Sequence, residues 1–286
     1  MKIRRGQSES GAEESVIDKR LVAESFSRAA KSYDGAAHFQ RQVANSLLSG
    51  CPFEPAVGAE NPVSLLDMGC GTGYEIPLIR NRFGVDQVFA IDLAPGMVQF
   101  ARLHHGSDTT SFSVADIESL PFVDTSFSLI HSSLAVQWCA SLGRVLDEVF
   151  RCLVEGGVAM IATLEQGTLT ELAQAWRAAD SCQHVNRFLT HARIEEVLVR
   201  SRFNGLTGAY TMKQEEVVLE YATVRQLTRE LKDLGAHNVN KNRPKSVTGR
   251  DKVERFISAY EPFRRENGLL PATYQVVYLY LRKGKI

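Results

Sequence analysis

The middle of the chain alternates between short apolar runs and longer stretches in which apolar residues recur at helical spacing. Buried β-strands are predicted at 63–68, 87–92, 110–116, 126–133 and 156–164. The segments between these strands are predicted to be helices. Strands separated by helices of this length form a parallel sheet with both faces covered. The pattern therefore predicts a doubly wound α/β fold.

The flanking segments predict additions to this sheet. Amphipathic stretches at 16–33 and 36–48 predict two helices, so that residues 16–50 would form an N-terminal helical lid. We expect a helical insertion at 168–205 after the fifth strand, and an addition of helices and a basic loop at 222–268. Two further strand-like runs lie at 205–221 and 273–281.

The first 15 residues have a different character, because they are small, charged and aperiodic. Such a segment cannot bury enough apolar surface to order itself, which predicts a mobile tail at 1–15. The rest of the chain, 16–286, contains no internal repeat and is predicted to be a single domain.

Charge and cysteine content exclude several classes of protein. The 286 residues include 33 Lys and Arg against 33 Asp and Glu, so nucleic acid and anionic membranes are not expected as partners. The five cysteines are widely spaced and lack zinc-site spacing, which is typical of reduced thiols in a cytoplasmic protein. No metal site is predicted, and no apolar run is long enough for a membrane helix.

A glycine-rich turn, Asp67 to Gly73, follows the first predicted strand and leads into a helix. Glycines at such a turn let a ligand approach the backbone, and the helix N-terminus offers free N–H groups. The G-x-G-x-G spacing differs from the G-x-G-x-x-G of dinucleotide enzymes. A ligand site at the carboxyl ends of the strands is therefore predicted, but a pyrophosphate site is not.

Two acidic residues reinforce this prediction, because each is predicted to end a neighbouring strand. Asp92 ends the second strand about 20 residues after the turn, where a carboxylate accepts both hydroxyls of a ribose. Asp116 ends the third strand, in a position to meet an adenine amino group. The alternative for each is a helix N-cap, since helical sequence follows both.

Five motifs together resemble class I S-adenosylmethionine-dependent methyltransferases: LLDMGCGTG, AIDLAPGM, VADIESLPF, FSLIHSSLAVQW and LVEGGVAMIATL. The resemblance implies a Rossmann-like, mostly parallel seven-stranded sheet whose last strand, at 273–281, is antiparallel. It also implies S-adenosyl-L-methionine as cofactor and S-adenosyl-L-homocysteine as product. The cofactor-binding residues carried over by the motifs are Asp67, Gly69, Cys70, Gly71, Gly73, Asp92, Leu93, Met97, Asp116, Ile117 and Ser132.

A narrower resemblance covers nearly all of the chain from Val22 onwards. The segments VAESFSRAAKSYDGAAHFQRQVANSLL, SLAVQWC, TLEQGTLTELAQAW, HVNRFL and LKDLGAHNVN are similar to the malonyl-acyl-carrier-protein O-methyltransferase family of biotin synthesis. Ser133 departs from that family, which more often has Asn at this position.

The narrower resemblance implies methylation of the free carboxylate of a malonyl thioester, carried by an acyl carrier protein or by CoA. A carboxylate is already ionised at neutral pH, so catalysis requires positioning and not a general base. Arg187 is the candidate for holding the carboxylate by a forked pair of hydrogen bonds, because it lies in the helical insertion that would cover the active-site mouth; a solvated surface arginine is the alternative. Tyr33 would close the site from the N-terminal side, and Gln137 and Trp138 would meet the substrate after the fourth strand; ordinary aromatic packing is the alternative for Tyr33 and Trp138.

Other functions and partners remain open at this level. The same scaffold could methylate a small carboxylic acid, a quinone or a natural product, or it could serve as a cofactor-binding regulator without transferase activity. Residues 225–286 contain fourteen basic and six acidic residues, which predicts a docking surface for an acidic carrier protein, to which Arg193, Arg200 and Arg202 would add, with scattered solvated charges as the alternative. We expect a monomer.

Overall fold

A computed structural model describes residues 17–55, 63–205, 208–236 and 249–284. The predicted tail, 1–15, and part of the predicted basic loop, 237–248, lie outside these residues. The strands in the described part are β1 (Ser64–Met68), β2 (Gln87–Asp92), β3 (Thr110–Val114), β4 (Phe127–Ser133), β5 (Leu153–Leu164), β6 (Gly208–Tyr221) and β7 (Leu270–Lys283).

The helices of the described part cover the sheet and its carboxyl edge. They are α1 (Lys19–Ala29), α2 (Tyr33–Ala36), α3 (His38–Ser49), α4 (Ile76–Phe83), α5 (Pro95–His105), α6 (Leu142–Cys152), α7 (Thr170–Ala179), α8 (His191–Arg200), α9 (Val224–Asp233) and α10 (Arg250–Tyr260). None of them combines the length and apolar character that crossing a bilayer requires.

All seven strands form one sheet in the order β3-β2-β1-β4-β5-β7-β6. The strands β1 to β5 pair in parallel, and β7 runs antiparallel to both β5 and β6. The predicted α/β fold and the antiparallel last strand are therefore confirmed. The strand order reverses between β1 and β4, and ligands of doubly wound sheets bind at such a switch point, beyond the carboxyl ends of the strands.

Alternate residues of the central strands enter two separate cores. Leu65 and Met160 pack with α3, α4 and α7 on one face of the sheet. Leu66 and Ala159 pack with α6 and α8 on the other face. Because both faces are buried, the central strands read as nearly continuous apolar runs in the sequence.

Some predicted boundaries were wrong. The stretch at 16–33 is not one helix, since α1 ends at Ala29 and the short α2 begins at Tyr33. Strand β3 ends at Val114, so Asp116 lies two residues beyond the strand that it was predicted to end. Strand β5 begins at Leu153, before the predicted start at 156.

Candidate active site

The glycine turn after β1 is built from residues with positive φ angles. Gly69, Gly71 and Gly73 have φ of 75°, 53° and 82°. A Cβ added to Gly69 would lie 2.3 Å from the Cβ of Ala135, whereas a Cβ on Gly71 would meet nothing within 4 Å. Gly69 is therefore required by close packing, and Gly71 leaves its surface open to a ligand.

Asp92, at the end of β2, holds this turn against the start of α5. Its Oδ2 accepts a hydrogen bond from the N–H of Gly71 at 2.9 Å, and its Oδ1 accepts one from the N–H of Ala94 at 2.7 Å. The N-cap residue of α5 is Ala94, so Asp92 is not a simple helix cap. Burial raises the pKa of the Asp92 carboxyl to about 6, although the two backbone N–H groups act in the opposite direction.

Asp116 pairs with the first residue of α1. Its Oδ1 accepts a hydrogen bond from the N–H of Glu118 at 3.0 Å, and Lys19 Nζ lies 2.5 Å from its Oδ2. Lys19 also forms an ion pair with Glu118. Burial opposes the charge on Lys19, but hydrogen bonds to the two carboxylates prevail and raise its pKa. The residues after Asp116 form turns and no helix, so the N-cap alternative is wrong here.

Two adjoining cavities open beside these residues. We call them the rim cavity, next to Asp92 and Asp116, and the loop cavity, next to the glycine turn; both are lined by Tyr33, Gly69, Gly71 and Ser133. Eight of the eleven predicted cofactor residues line one or both cavities: Gly69, Cys70, Gly71, Asp92, Leu93, Met97, Asp116 and Ile117.

The other three predicted cofactor residues lie behind the cavity walls. Asp67 is 3 % exposed and faces His131. Ser132 is fully buried and donates a hydrogen bond to the backbone oxygen of Met68 at 2.8 Å. A Cβ on Gly73 would lie 2.9 Å from the ring of His105 on α5. The structure thus gives these residues contacts that support the turn.

A buried charged group was not predicted from the sequence. His131 on β4 is 1 % exposed, with Nδ1 2.9 Å from Asp67 Oδ1 and Nε2 2.9 Å from Glu75 Oε2. Burial disfavours its charged form, but the two carboxylates outweigh burial and raise its pKa to about 10. The raised pKa favours the imidazolium form, which pairs by charge with Asp67 and with the loop-cavity residue Glu75. The contact follows from the pairing of β1 with β4, because the register of these strands places Asp67 directly beside His131.

The polar atoms of the two cavities suit an adenosyl group with an amino acid end. Asp92 presents a carboxylate for a ribose, and Arg41 lines the loop cavity as a cation for a carboxylate. Gln40 Oε1 and Ser133 Oγ are buried without a hydrogen-bond partner among the described residues. Both residues line the loop cavity, so they can accept a hydrogen bond from an ammonium group.

A third space, the apolar cavity, has a volume of about 300 Å³ and adjoins the rim cavity. The residues common to both are Phe26, Tyr33, Leu134 and Trp138. Leu134 has a φ of 51°, a strained value for a non-glycine residue at the end of β4. The deeper wall contains Phe39, Leu169, Leu172, Trp176, Leu231 and Tyr274.

Three of the four predicted catalytic residues line the apolar cavity. Gln137 donates a hydrogen bond to the backbone oxygen of Leu134 at 2.7 Å, and Trp138 packs edge-on against Phe26 at 5.3 Å between ring centroids. Tyr33 lines the rim, loop and apolar cavities. Burial, together with Glu75 and other acids, raises the pKa of Tyr33, so its hydroxyl stays protonated.

The fourth, Arg187, lies elsewhere. It is exposed and lines an outer cavity of about 370 Å³, which shares Gln137, Leu164 and Phe188 with the apolar cavity. Its neighbour His184 lines the apolar cavity, stacks on Trp176 at 3.8 Å and pairs with Asp180 at 2.9 Å. The role predicted for Arg187 stays a prediction.

Comparisons with known proteins agree with this geometry. Residues 66–161 match a family model described as "Methyltransferase domain". The chain is 38 % identical over 271 residues to a protein of Hahella chejuensis named "Malonyl-[acyl-carrier protein] O-methyltransferase", covering 93 % of this chain and 91 % of that protein.

Two further matches differ in how much they cover and in what they show. A "Biotin biosynthesis bifunctional protein BioHC" of Cellvibrio japonicus is 39 % identical over 94 % of this chain, which spans about half (51 %) of that relative. The crystal structure of the YcgJ protein from Bacillus subtilis matches with a TM-score of 0.58 at 16 % identity, covering 86 % of this chain and 100 % of that one. The structural match shows the fold alone. Similarity along nearly the full length of the Hahella protein, added to the methyltransferase domain and the site built on its glycine turn, shows that the chain belongs to the malonyl-[acyl-carrier protein] O-methyltransferase family.

Proposed function

We propose that the chain methylates the free carboxylate of a malonyl thioester, with S-adenosyl-L-methionine as methyl donor, to give the methyl ester from which biotin synthesis proceeds. The observation that supports it best is the join between the cavities. The rim cavity, which suits an adenosyl group, meets the apolar cavity at Phe26, Tyr33, Leu134 and Trp138. A reacting carboxylate at this join would lie among aromatic and aliphatic side chains.

The residues divide into those that hold the cofactor and those that support the turn. Asp92 would accept the ribose hydroxyls, Asp116 would meet the adenine edge, and Gly71 would allow close approach of the backbone. Gln40 and Ser133 would accept hydrogen bonds from the ammonium group, and the predicted site residue Cys70 would line its surroundings. When bound, the cofactor supplies an electrophilic methyl group on a sulfonium.

The chain contributes position and exclusion of water. A malonyl carboxylate is ionised at neutral pH, so no side chain has to accept a proton. Tyr33, with its protonated hydroxyl, and Trp138 close the join from two sides, which orients the carboxylate towards the methyl group and reduces its hydration. Gln137 lies next to the join and provides a fixed amide at the entrance to the outer cavity.

Isotope transfer tests this proposal directly. The protein is incubated with methyl-labelled S-adenosylmethionine and, in separate reactions, malonyl-acyl carrier protein, malonyl-CoA and free small carboxylic acids. We expect labelled methyl ester on malonyl thioesters. Transfer only to a free small acid or a quinone would favour another methyltransferase of the same fold, and no transfer with intact cofactor binding would favour a regulator.

Arg187→Ala tests the predicted carboxylate contact. We expect turnover of the malonyl thioester to fall by about 100-fold, because a charged hydrogen bond contributes about 1.5–3 kcal/mol, while S-adenosylhomocysteine affinity is unchanged. Arg193→Ala is the matched control, since Arg193 lines the same outer cavity but is paired with Glu196 at 2.6 Å. Equal losses in both variants, or loss of cofactor affinity, would contradict a role in substrate recognition.

The partner and the cellular setting are further parts of the proposal. An acyl carrier protein would deliver the malonyl group to a monomer through the basic C-terminal region, with the CoA thioester as an alternative substrate. The five cysteines are all free thiols, which agrees with the reducing environment of the cytoplasm.

A further inference from the structure

Many basic side chains of the C-terminal region are engaged within the protein. Arg250, Arg264 and Arg265 form ion pairs with Glu254, Glu261 and Glu220 at 2.8–3.0 Å. Lys252 lies 3.5 Å from Asp180, and Lys283 is 4 % exposed and donates to the backbone oxygens of Phe150 and Leu153. The overall charge of the region therefore exceeds the charge that it can offer to a partner.

Helix α9 and the end of α1 differ in this respect. Arg225, Arg229 and Lys232 recur at helical spacing, so they lie on one face of α9, and all three are exposed. Arg28 in the last turn of α1 and Lys31 just beyond it are also exposed. Within the described residues, none of these five side chains takes part in an ion pair. We call them the α1–α9 ridge.

The two parts of the ridge belong to one surface, because a side chain of α1 and one of the turn after it donate hydrogen bonds to the backbone at the end of α9. Ser25 Oγ donates to the backbone oxygen of Gly235 at 2.9 Å, and Ser32 Oγ donates to that of Asp233 at 2.8 Å. Nearby acids leave the cationic excess in place. Glu230 accepts a hydrogen bond from Tyr221 at 2.8 Å, and Asp233 is half-buried.

The helices that carry the ridge also border the apolar cavity and the rim cavity. Thr228 and Leu231 of α9, and Leu234 directly after it, line the apolar cavity, and the two leucines point away from the charged face. Val22 and Phe26 of α1 line the rim cavity. A partner bound on the ridge would therefore sit beside the helices that wall the site, within reach for an acyl group on a flexible arm.

We propose that the α1–α9 ridge is the docking surface for an acidic acyl carrier protein. The inference rests on the proposed function, and it moves the docking surface from the C-terminal region as a whole to five side chains, two of which lie outside that region. A helix of the carrier with several carboxylates matches a row of cations spaced by helical turns. The ridge would recognise the carrier and would take no part in methyl transfer.

Charge reversal on the ridge tests this surface. The variant R229E/K232E is compared with R200E/R282E, which changes the net charge equally. The side chain of Arg200 on α8 is 74 % exposed. The exposed Arg282 lies beside Val158 in the register of β5 and β7, away from the carboxyl ends of the strands where the cavities open. Turnover is measured with malonyl-acyl carrier protein, malonyl-CoA and a malonyl-pantetheine thioester. Binding of the carrier protein is measured separately by fluorescence anisotropy, and thermal unfolding checks each fold.

We expect R229E/K232E to raise KM for malonyl-acyl carrier protein and Kd for the carrier roughly ten-fold, since steering by opposite charge changes association by this order. Turnover of malonyl-pantetheine should be unchanged, and R200E/R282E should resemble the native protein in every assay. Equal effects of the two variants on carrier binding, or no effect of either, would overturn the assignment of the ridge as the docking surface. A KM increase shared by malonyl-CoA and not accompanied by weaker carrier binding would also overturn it, because the ridge would then bind the phosphates of CoA.

The two levels of the proposal fail separately. If the native protein methylates no malonyl thioester, the proposed function is wrong, and the anisotropy measurement still decides whether the ridge binds the carrier. If malonyl-pantetheine is methylated and R229E/K232E binds the carrier as tightly as the native protein does, the proposed function stands and the docking surface lies elsewhere.

Discussion

Asp92 combines a structural and a ligand-binding role in one carboxylate. Its two oxygens hold the glycine turn and the start of α5, and burial raises its pKa to about 6. The ionised form is the better acceptor for ribose hydroxyls. Cofactor affinity should therefore be constant above neutral pH and should decline as the pH falls through 6.

Asp92→Asn tests this pH dependence. We expect the variant to bind S-adenosylhomocysteine about 100-fold more weakly at neutral pH, as for loss of a charged hydrogen-bond acceptor, and to show no decline of affinity near pH 6. Isothermal titration from about pH 5 to about pH 8 measures both quantities, over a range in which ordinary carboxylates, with pKa values of about 4, stay ionised. Asp108→Asn, an exposed position, is the control. A decline near pH 6 that persists in Asp92→Asn would assign the titration to another group.

His131 should affect stability more than any exposed histidine, because it is the cation between two acids. Its folded-state pKa of about 10 lies above the unfolded value of about 6.5. A raised histidine pKa stabilises the fold fully below the unfolded value, and this contribution is lost as the pH rises through the folded value. The native protein should therefore lose stability between about pH 6.5 and 10.

His131→Asn should lower the free energy of unfolding by about 3 kcal/mol at neutral pH, because it leaves Asp67 and Glu75 without their buried partner. The loss should shrink towards pH 10, which urea unfolding at several pH values will show. His191→Asn is the control, since His191 pairs with Glu165 but is 40 % exposed. A pH-independent difference between native and variant proteins would mean that the imidazole is neutral.

At the scale of elements, the strand-to-helix turn has two glycines with different requirements. Gly69 has its Cβ position filled by Ala135, whereas Gly71 faces open space. Gly69→Ala should therefore lower both stability and cofactor affinity. Gly71→Ala should cost only about 1–2 kcal/mol of stability for its left-handed backbone, and it should still abolish tight cofactor binding by placing a methyl group in the rim and loop cavities.

Thermal unfolding and S-adenosylhomocysteine titration on both variants separate these effects. Gly84→Ala, which has a similar φ of 63° and open space at the end of α4, is the control for backbone cost alone. If Gly71→Ala bound the cofactor product like Gly84→Ala does, the open face of Gly71 would not be a ligand surface.

The helices and strands also show which parts of the structure could be predicted from the sequence. Buried strands were predictable because short apolar runs bounded by polar or glycine-rich segments have few alternatives, and the chain at or just beyond the ends of three of these strands brings Gly71, Asp92 and Asp116 to one rim. The break between α1 and α2 was not predictable, since helical spacing continues through SRAAKSY. The His131 contacts depend on which strand neighbours β1, and periodicity alone carries no information on strand order. The position of Arg187 depends on how the segment after α7 turns, which sequence spacing does not specify.

At the scale of the whole molecule, zero net charge conceals a separation of charge. The segment 225–286 has fourteen basic and six acidic residues, so the rest of the chain carries the compensating acids. Ion pairs of Lys252 with Asp180 and of Arg265 with Glu220, two acids outside this segment, offset part of that excess, and the exposed cations of α9 lie next to the site. An acidic partner should therefore feel a local positive field although the protein as a whole is neutral.

Ionic strength should separate this field from the chemistry of the site. Salt shortens the screening length from about 10 Å at 0.1 M to about 3 Å at 1 M. The attraction between exposed cations and an acidic partner therefore weakens, whereas the interactions of buried groups such as Asp92 and His131 change little. We expect KM for malonyl-acyl carrier protein to rise roughly ten-fold as NaCl increases from about 0.05 M to about 0.5 M. The Kd of S-adenosylhomocysteine and the turnover of malonyl-pantetheine should stay within about two-fold, because both depend on the buried cavities. Constant KM for the carrier substrate across this range would show that docking is apolar, and a parallel loss with malonyl-pantetheine would place the salt effect in the active site itself.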